Sequence, residues 1–142
     1  MGLAAERKLL EMAFDDAWLN GAFVFVPVSY SNIEFNPPIN NEAWISFRLG
    51  VDDADIISLG NNKIVRHDAE IVVDIYVNQG EGTNEAREIA DEVVSILRNK
   101  QFSSAEAGTV TTRIPDVAPI GVDESYYRLQ IVVPYERDEV IP

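Results

Sequence analysis

Residues Ile64 to Leu97, IVRHDAEIVVDIYVNQGEGTNEAREIADEVVSIL, decide the fold. Ala69, Ile71, Val73, Ile75 and Val77 alternate with Glu70, Val72, Asp74 and Tyr76, the two-residue period of a strand with one face on a core. Gly80 and Gly82 then supply turn conformations that residues with a Cβ resist. Thr83 is placed to cap a helix, with Glu85 in its electropositive first turn. Ala86, Ile89, Ala90, Val93, Ile96 and Leu97 form one apolar stripe along that helix. A strand, a glycine turn and a helix make either a phosphate cradle or a scaffold. The dinucleotide fingerprint needs a third glycine where this chain has Glu85, and Glu81 and Glu85 repel a pyrophosphate. No P-loop Lys-Ser/Thr pair follows. The turn is structural.

Upstream, residues 3–19 read as a first helix with Leu3, Leu10, Phe14, Ala17 and Trp18 on one stripe, ended by Asn20–Gly21. Ala22 to Tyr30 is rich in β-formers, but Pro27 cannot donate a ladder bond, which makes this an edge or bulged strand. SNIEFNPPINN is a long turn-rich loop. Trp44 to Val51 alternates, with Ala43, Ile45, Phe47 and Leu49 on one side and Trp44, Ser46 and Arg48 on the other. Asp52, Asp53 and Asp55 interrupt the pattern, Ile56 to Leu59 resumes it, and Gly60-Asn61-Asn62 turns into the Ile64 strand.

Downstream, Gln101 to Gly108 reads as a loop, Thr109 to Ile114 as a strand, and VAPIGVDES as another loop. Tyr126 to Tyr135 is the last strand, with Tyr127, Leu129, Ile131 and Val133 on one face. Residues 138–142 read as a frayed tail. The order of elements predicts a single α+β domain over 1–142, with a mixed, mostly antiparallel sheet and two helices packed on one face.

The chain has 142 residues, no cysteine, 46% hydrophobic and 25% charged residues, the balance of an ordinary soluble globular domain. That length buries roughly two-thirds of the unfolded surface. No run approaches the ~20 apolar residues that span a bilayer, and the N-terminus lacks the apolar core of a signal peptide. Disulfides and cysteine-ligated metals are excluded. Net charge is −13, from 24 acidic and 11 basic residues, the latter mostly scattered singly. A nucleic-acid reader concentrates them instead.

Residue by residue, chemistry is scarce. His67 and Asp68 are strand neighbours and point to opposite faces, so they make no base–orienter pair. No G-x-S-x-G elbow occurs. Asp52, Asp53 and Asp55 lack the central glycine and terminal glutamate of an EF-hand loop and read as a solvated turn. Trp44, Tyr76 and Tyr126 lie opposite the most regular apolar alternations. They form either a second core layer under the first helix or a protein contact surface, where aromatics are enriched. Neither a catalytic set, a cofactor motif nor a metal site emerges.

WISFRLGVDDADIISLG, NNKIVRHDAEIVVDIYVNQGEGTNEAREIADEVVSIL and SYYRLQIVVPYERDE, in this order, resemble the phage tail terminator-like family, small proteins similar to the minor tail protein U of lambda-like phages. The matching features are a Trp-led strand, a Val-rich strand, a G-x-G-T turn with its amphipathic helix, and a last strand ending V-P-Y-x-R-D. The similarity covers about Trp44 to Glu139.

The resemblance implies a virion structural protein and not an enzyme: a homo-oligomeric, hexameric ring that caps the tail tube, ends its polymerisation and joins it to the head connector. The partners it implies are other copies of the chain, the tail tube protein and the head–tail connector protein, with no cofactor, direct nucleic-acid contact or membrane. The place it implies is the virion tail, assembled in the host cytoplasm. Alternatives are a neighbouring head–tail connector or tail-completion protein, a monomeric adaptor adding a strand at the Pro27 edge, and an acidic metal-dependent hydrolase using Asp52, Asp53, Asp55 and Asp68. In a ring of acidic subunits, a seam arginine needs a carboxylate on the next copy. Arg48, Arg66, Arg128 and Arg137, with Trp44, Tyr76 and Tyr126, are therefore the candidate oligomer-interface residues.

Overall fold

A computed structural model describes residues 3–31, 33, 35–38, 42–50, 53–58, 60, 63–80, 82–123 and 125–141. Its elements are α1 (Leu3–Leu19), β1 (Val28–Tyr30), β2 (Trp44–Leu49), β3 (Asp53–Ile56), β4 (Lys63–Asn78), α2 (Asn84–Leu97), β5 (Gln101–Ser104), β6 (Gly108–Thr112), β7 (Asp116–Asp123) and β8 (Tyr126–Ile141). The α+β reading holds: the described strands form one sheet, antiparallel except where β1 joins β2.

The alternation of β4 builds the centre. β4 and β8 each run 16 residues, roughly 50 Å of extended chain. They pair along their whole length, from Lys63↔Ile141 to Asn78↔Tyr126. One half of this ribbon is flanked by β2 on β4 and by β7 on β8; β1 lies outside β2. The other half is flanked by β3 on β4 and by β6 on β8, with β5 beyond.

Odd-numbered positions of the ribbon face both helices. Ile71, Val73, Ile75 and Val77 of β4 and Leu129, Ile131 and Val133 of β8 are buried there with Ile45 and Phe47 of β2. α2 covers them with Ala86, Ile89, Ala90, Val93 and Leu97, all from the expected stripe. α1 covers them with Leu10, Phe14 and Trp18, and Phe14 packs 4.9 Å from Phe47 between ring centroids. Leu3 is exposed, and Glu6 takes the buried place in the stripe. No helix among the described residues is long and apolar enough to cross a membrane.

Five local expectations need correction. Thr83 occupies the N-cap position of α2 but makes no side-chain cap bond; its carbonyl accepts from Arg87 N–H instead. Asp53–Ile56, read partly as a break, is a strand on β4. Gln101–Gly108 and VAPIGVDES, read as loops, contribute to β5 and to β7. β8 does not end at Tyr135: β4 offers a ladder down to Ile141, so residues 138–141 are paired rather than frayed. In the four strand cases a neighbouring strand supplies backbone partners that the side-chain pattern does not announce. Asp52, Asn61, Asn62 and most of the Phe35–Asn41 loop's second half lie outside the described residues.

Candidate contact surface

Even-numbered positions of the ribbon face away from the helices. The register sets Trp44 opposite Tyr76 and Tyr76 opposite Arg128, with Asn78 opposite Tyr126. Trp44 and Tyr76 stack at 4.2 Å with 8° between planes. Tyr126 stands edge-on to both, at 6.2 Å and 6.0 Å. Phe35 lies over Trp44 at 5.0 Å, and the Arg128 guanidinium sits 5.9 Å from the Tyr76 centroid, within cation–π range. α1 packs on the opposite face, so the second-core-layer alternative fails. These half-buried aromatics lie on the helix-free face.

Beside them, Asp74 is buried at the centre of that face. Its Oδ1 accepts hydrogen bonds from Arg128 Nε and Gln130 Nε2, each at 3.0 Å, and Arg128 Nη2 lies 3.0 Å from the same oxygen. Arg48 Nε reaches only to 4.0 Å from Oδ2, and its side chain stays 46% exposed. A carboxylate in mid-strand is tolerable there because charged donors replace its water.

Further along the same face, Arg66 grips Asp138 through two bonds, Nε–Oδ1 at 2.9 Å and Nη2–Oδ2 at 3.1 Å. That fork holds Asp138 below the usual carboxylate range, against the opposing pull of burial. The bond and charge of Asp138 also raise Arg66. Glu136 lies between Arg66 at 3.8 Å and Arg113 at 2.6 Å.

Six of the seven expected residues therefore share one face, in two groups: Trp44, Tyr76, Tyr126, Arg48 and Arg128 together, and Arg66 apart. Arg137 is not with them. It lies on the helix side, fully buried, with Nε 2.8 Å from Glu6 Oε1. Sequence reasoning missed Phe35, Gln130 and the central role of Asp74. A charged residue in phase with Val72 and Tyr76 is the signal for Asp74; Phe35 carries none.

His67 hydrogen-bonds Glu139 at 3.0 Å on the helix side, away from Asp68 as the alternation requires. Asp53 pairs across the ladder with Asp68, and Asp55 with Arg66. Among the described residues no three His, Asp or Glu side chains are grouped to hold a metal ion. Asp52 of the hydrolase alternative is outside them.

Both helices lie on one side of the sheet, and an aromatic–arginine surface lies on the other. The chain belongs to the phage tail terminator protein family, whose pattern it matches over residues 4–135. This is a family of phage tail structural proteins, and it extends the recognised region well upstream of Trp44. No curated protein matches the sequence. Solved structures are similar as well, one of them with a TM-score of 0.76 and 18% identity, covering 100% of this chain and 99% of the other. At that identity the likeness shows the fold.

Proposed function

We propose that this chain forms a homo-oligomeric ring, hexameric in the reading carried from the family resemblance, that caps the phage tail tube and ends its growth. The ring's other side meets the head connector. It works by contact and not by catalysis, binds no DNA directly, and acts in the virion after assembly in the host cytoplasm. The family match carries this reading.

The helix-free face supports it. Trp, Tyr and Arg are the residues enriched at the energetic centres of interfaces, and here they lie side by side. Arg128 is already partnered by Asp74, and Arg66 by Asp138, within one chain. The aromatics and the exposed Arg48 side chain therefore remain as the contacts this face offers a tail partner.

Light scattering and electron microscopy of the purified chain test the ring, and tail length in phage lacking the chain tests the cap. Closed rings and tails of unregulated length are expected. Tubes of normal length without the chain would overturn the cap. A chain that bound filled heads but not isolated tails would favour the head–tail connector alternative.

A further inference from the structure

Some of the exposed large apolar side chains lie at the two opposite margins of one half of the sheet; others, among them Ile56, Ile57 and Ile114, lie elsewhere. In that half the strands run β1-β2-β4-β8-β7, so β1 and β7 are its edges. Around β1, the turn before it leaves Val24 50% and Phe25 73% exposed, and the turn after it leaves Ile33 59% exposed. On β7, Val117, Ile120 and Val122 are 46%, 49% and 61% exposed. Edge strands of a solitary protein are usually guarded by charge; β1 has none, and β7 has Asp116 and Asp123 at its two ends with no charge between them.

The charge pattern makes the pairing specific. No charged residue occurs from Ala17 to Ile33, nor from Val117 to Val122, in a chain with 25% charged residues and a net charge of −13. Two copies approaching over most other surfaces bring like charges together. At these two margins they bring apolar side chains together instead, with water released from both. A head-to-tail contact requires two different patches on one chain, and opposite edges of one sheet provide them.

Both edges also resist a shared ladder. β7 contains Pro119 and an irregularity between Pro119 and Gly121, and Pro27 immediately precedes β1. Proline lacks the N–H that a joining strand would need. The contact is therefore one of side chains.

We infer that the β7 margin of one copy packs against the β1 margin of the next through Val117, Ile120 and Val122 on one side and Val24, Phe25 and Ile33 on the other. This rests on the ring reading above and names its seam.

Phe25→Glu and Val122→Glu each place a charge on one margin only. The wild-type chain should be multimeric by light scattering, and each variant a monomer that still unfolds in one cooperative transition, at a temperature lowered only by the lost association. Mixing the two variants should give a dimer and nothing larger, because together they retain one intact seam. Val24→Glu and Ile120→Glu repeat the test at independent positions. Variants that keep the wild-type multimer overturn the seam while sparing the ring. A variant that dissociates on one margin only, with the other without effect, shows a two-fold contact and overturns it too. A wild-type chain that stays monomeric at millimolar concentration overturns both.

Discussion

Glu6 and Arg137, separated by 131 positions in the chain, meet out of solvent with 2.8 Å between Oε1 and Nε. The Tyr135 hydroxyl donates to the other Glu6 oxygen at 3.0 Å. This polar clamp fixes the first turns of α1 to the far half of β8. Among the described residues neither Arg137 Nη nitrogen has a hydrogen-bond partner; Nη1 lies 3.8 Å from Glu139. Incomplete satisfaction makes the pair costly to break and modest in net worth. Glu6→Ala should destabilise the chain by about 3–5 kcal/mol in urea unfolding, whereas replacing both residues by apolar ones of similar size should cost far less. Equal losses from the single and the double replacement would show that the pair is net stabilising.

Asp74 makes Arg128 a folding residue. Arg128→Met leaves the buried carboxylate with Gln130 and the distant Arg48, a loss of about 3 kcal/mol. Adding Asp74→Asn should recover most of it, so the double-mutant cycle should show strong coupling. Arg128→Glu would set two carboxylates against each other and unfold the chain rather than merely dissociate it. Arg48→Ala, removing a side chain only 4.0 Å away and half exposed, should change stability by less than about 1 kcal/mol.

Thr83 shows how a good local signal misleads. Substituting a working N-cap costs about 1 kcal/mol, but this hydroxyl makes no cap bond. Thr83→Ala should therefore leave the melting temperature close to that of the wild type. A drop of several degrees would show that the cap forms in solution.

What was legible in the sequence is what burial writes into it. β4 and α2 alternate because one face of each is dry, and the same alternation placed Trp44, Tyr76 and Tyr126 on one surface. β3, β5 and β7 have mostly exposed side chains, so their strand character comes from the backbones of β4, β6 and β8. Pro119 and Gly121 in β7 added loop-like chemistry to an edge strand. Glu6 was hidden because its burial depends on Arg137 at the other end of the chain. Its signal was phase: it stands four residues before Leu10, in step with Phe14 and Trp18.

Tyr30 should report on α1 docking at alkaline pH. Its hydroxyl donates to Asp15 Oδ1 at 2.9 Å. Burial, then the Asp15 bond and charge, push the phenol far above the usual tyrosine range. A pKa raised by folding means that the contribution is complete below the unfolded value of about 10 and is lost as pH rises through the folded one. Tyr30 should resist ionisation until the chain unfolds, as read by ultraviolet difference absorbance. Tyr30→Phe should reduce the amplitude of that late step. Ionisation of Tyr30 near pH 10 in the folded chain would mean that α1 and β1 separate there.

Salt decides between an arginine seam and an apolar one. Six copies carry a formal 6 × (−13) = −78, and that repulsion opposes any ring. Raising ionic strength from 0.01 M to 1 M shortens the screening length from about 30 Å to about 3 Å. If the seam lies between the uncharged β1 and β7 margins, screening removes only repulsion, and association should tighten steadily across the series. If it depends on Arg48 or Arg66 meeting a carboxylate on the next copy, screening also weakens the attraction, and association should weaken or pass through a maximum. Sedimentation velocity at fixed protein concentration reads the difference directly. Within-chain pairing of Arg66 with Asp138 and of Arg128 with Asp74 leaves little arginine available for a seam, so a monotonic rise with salt is the expected result.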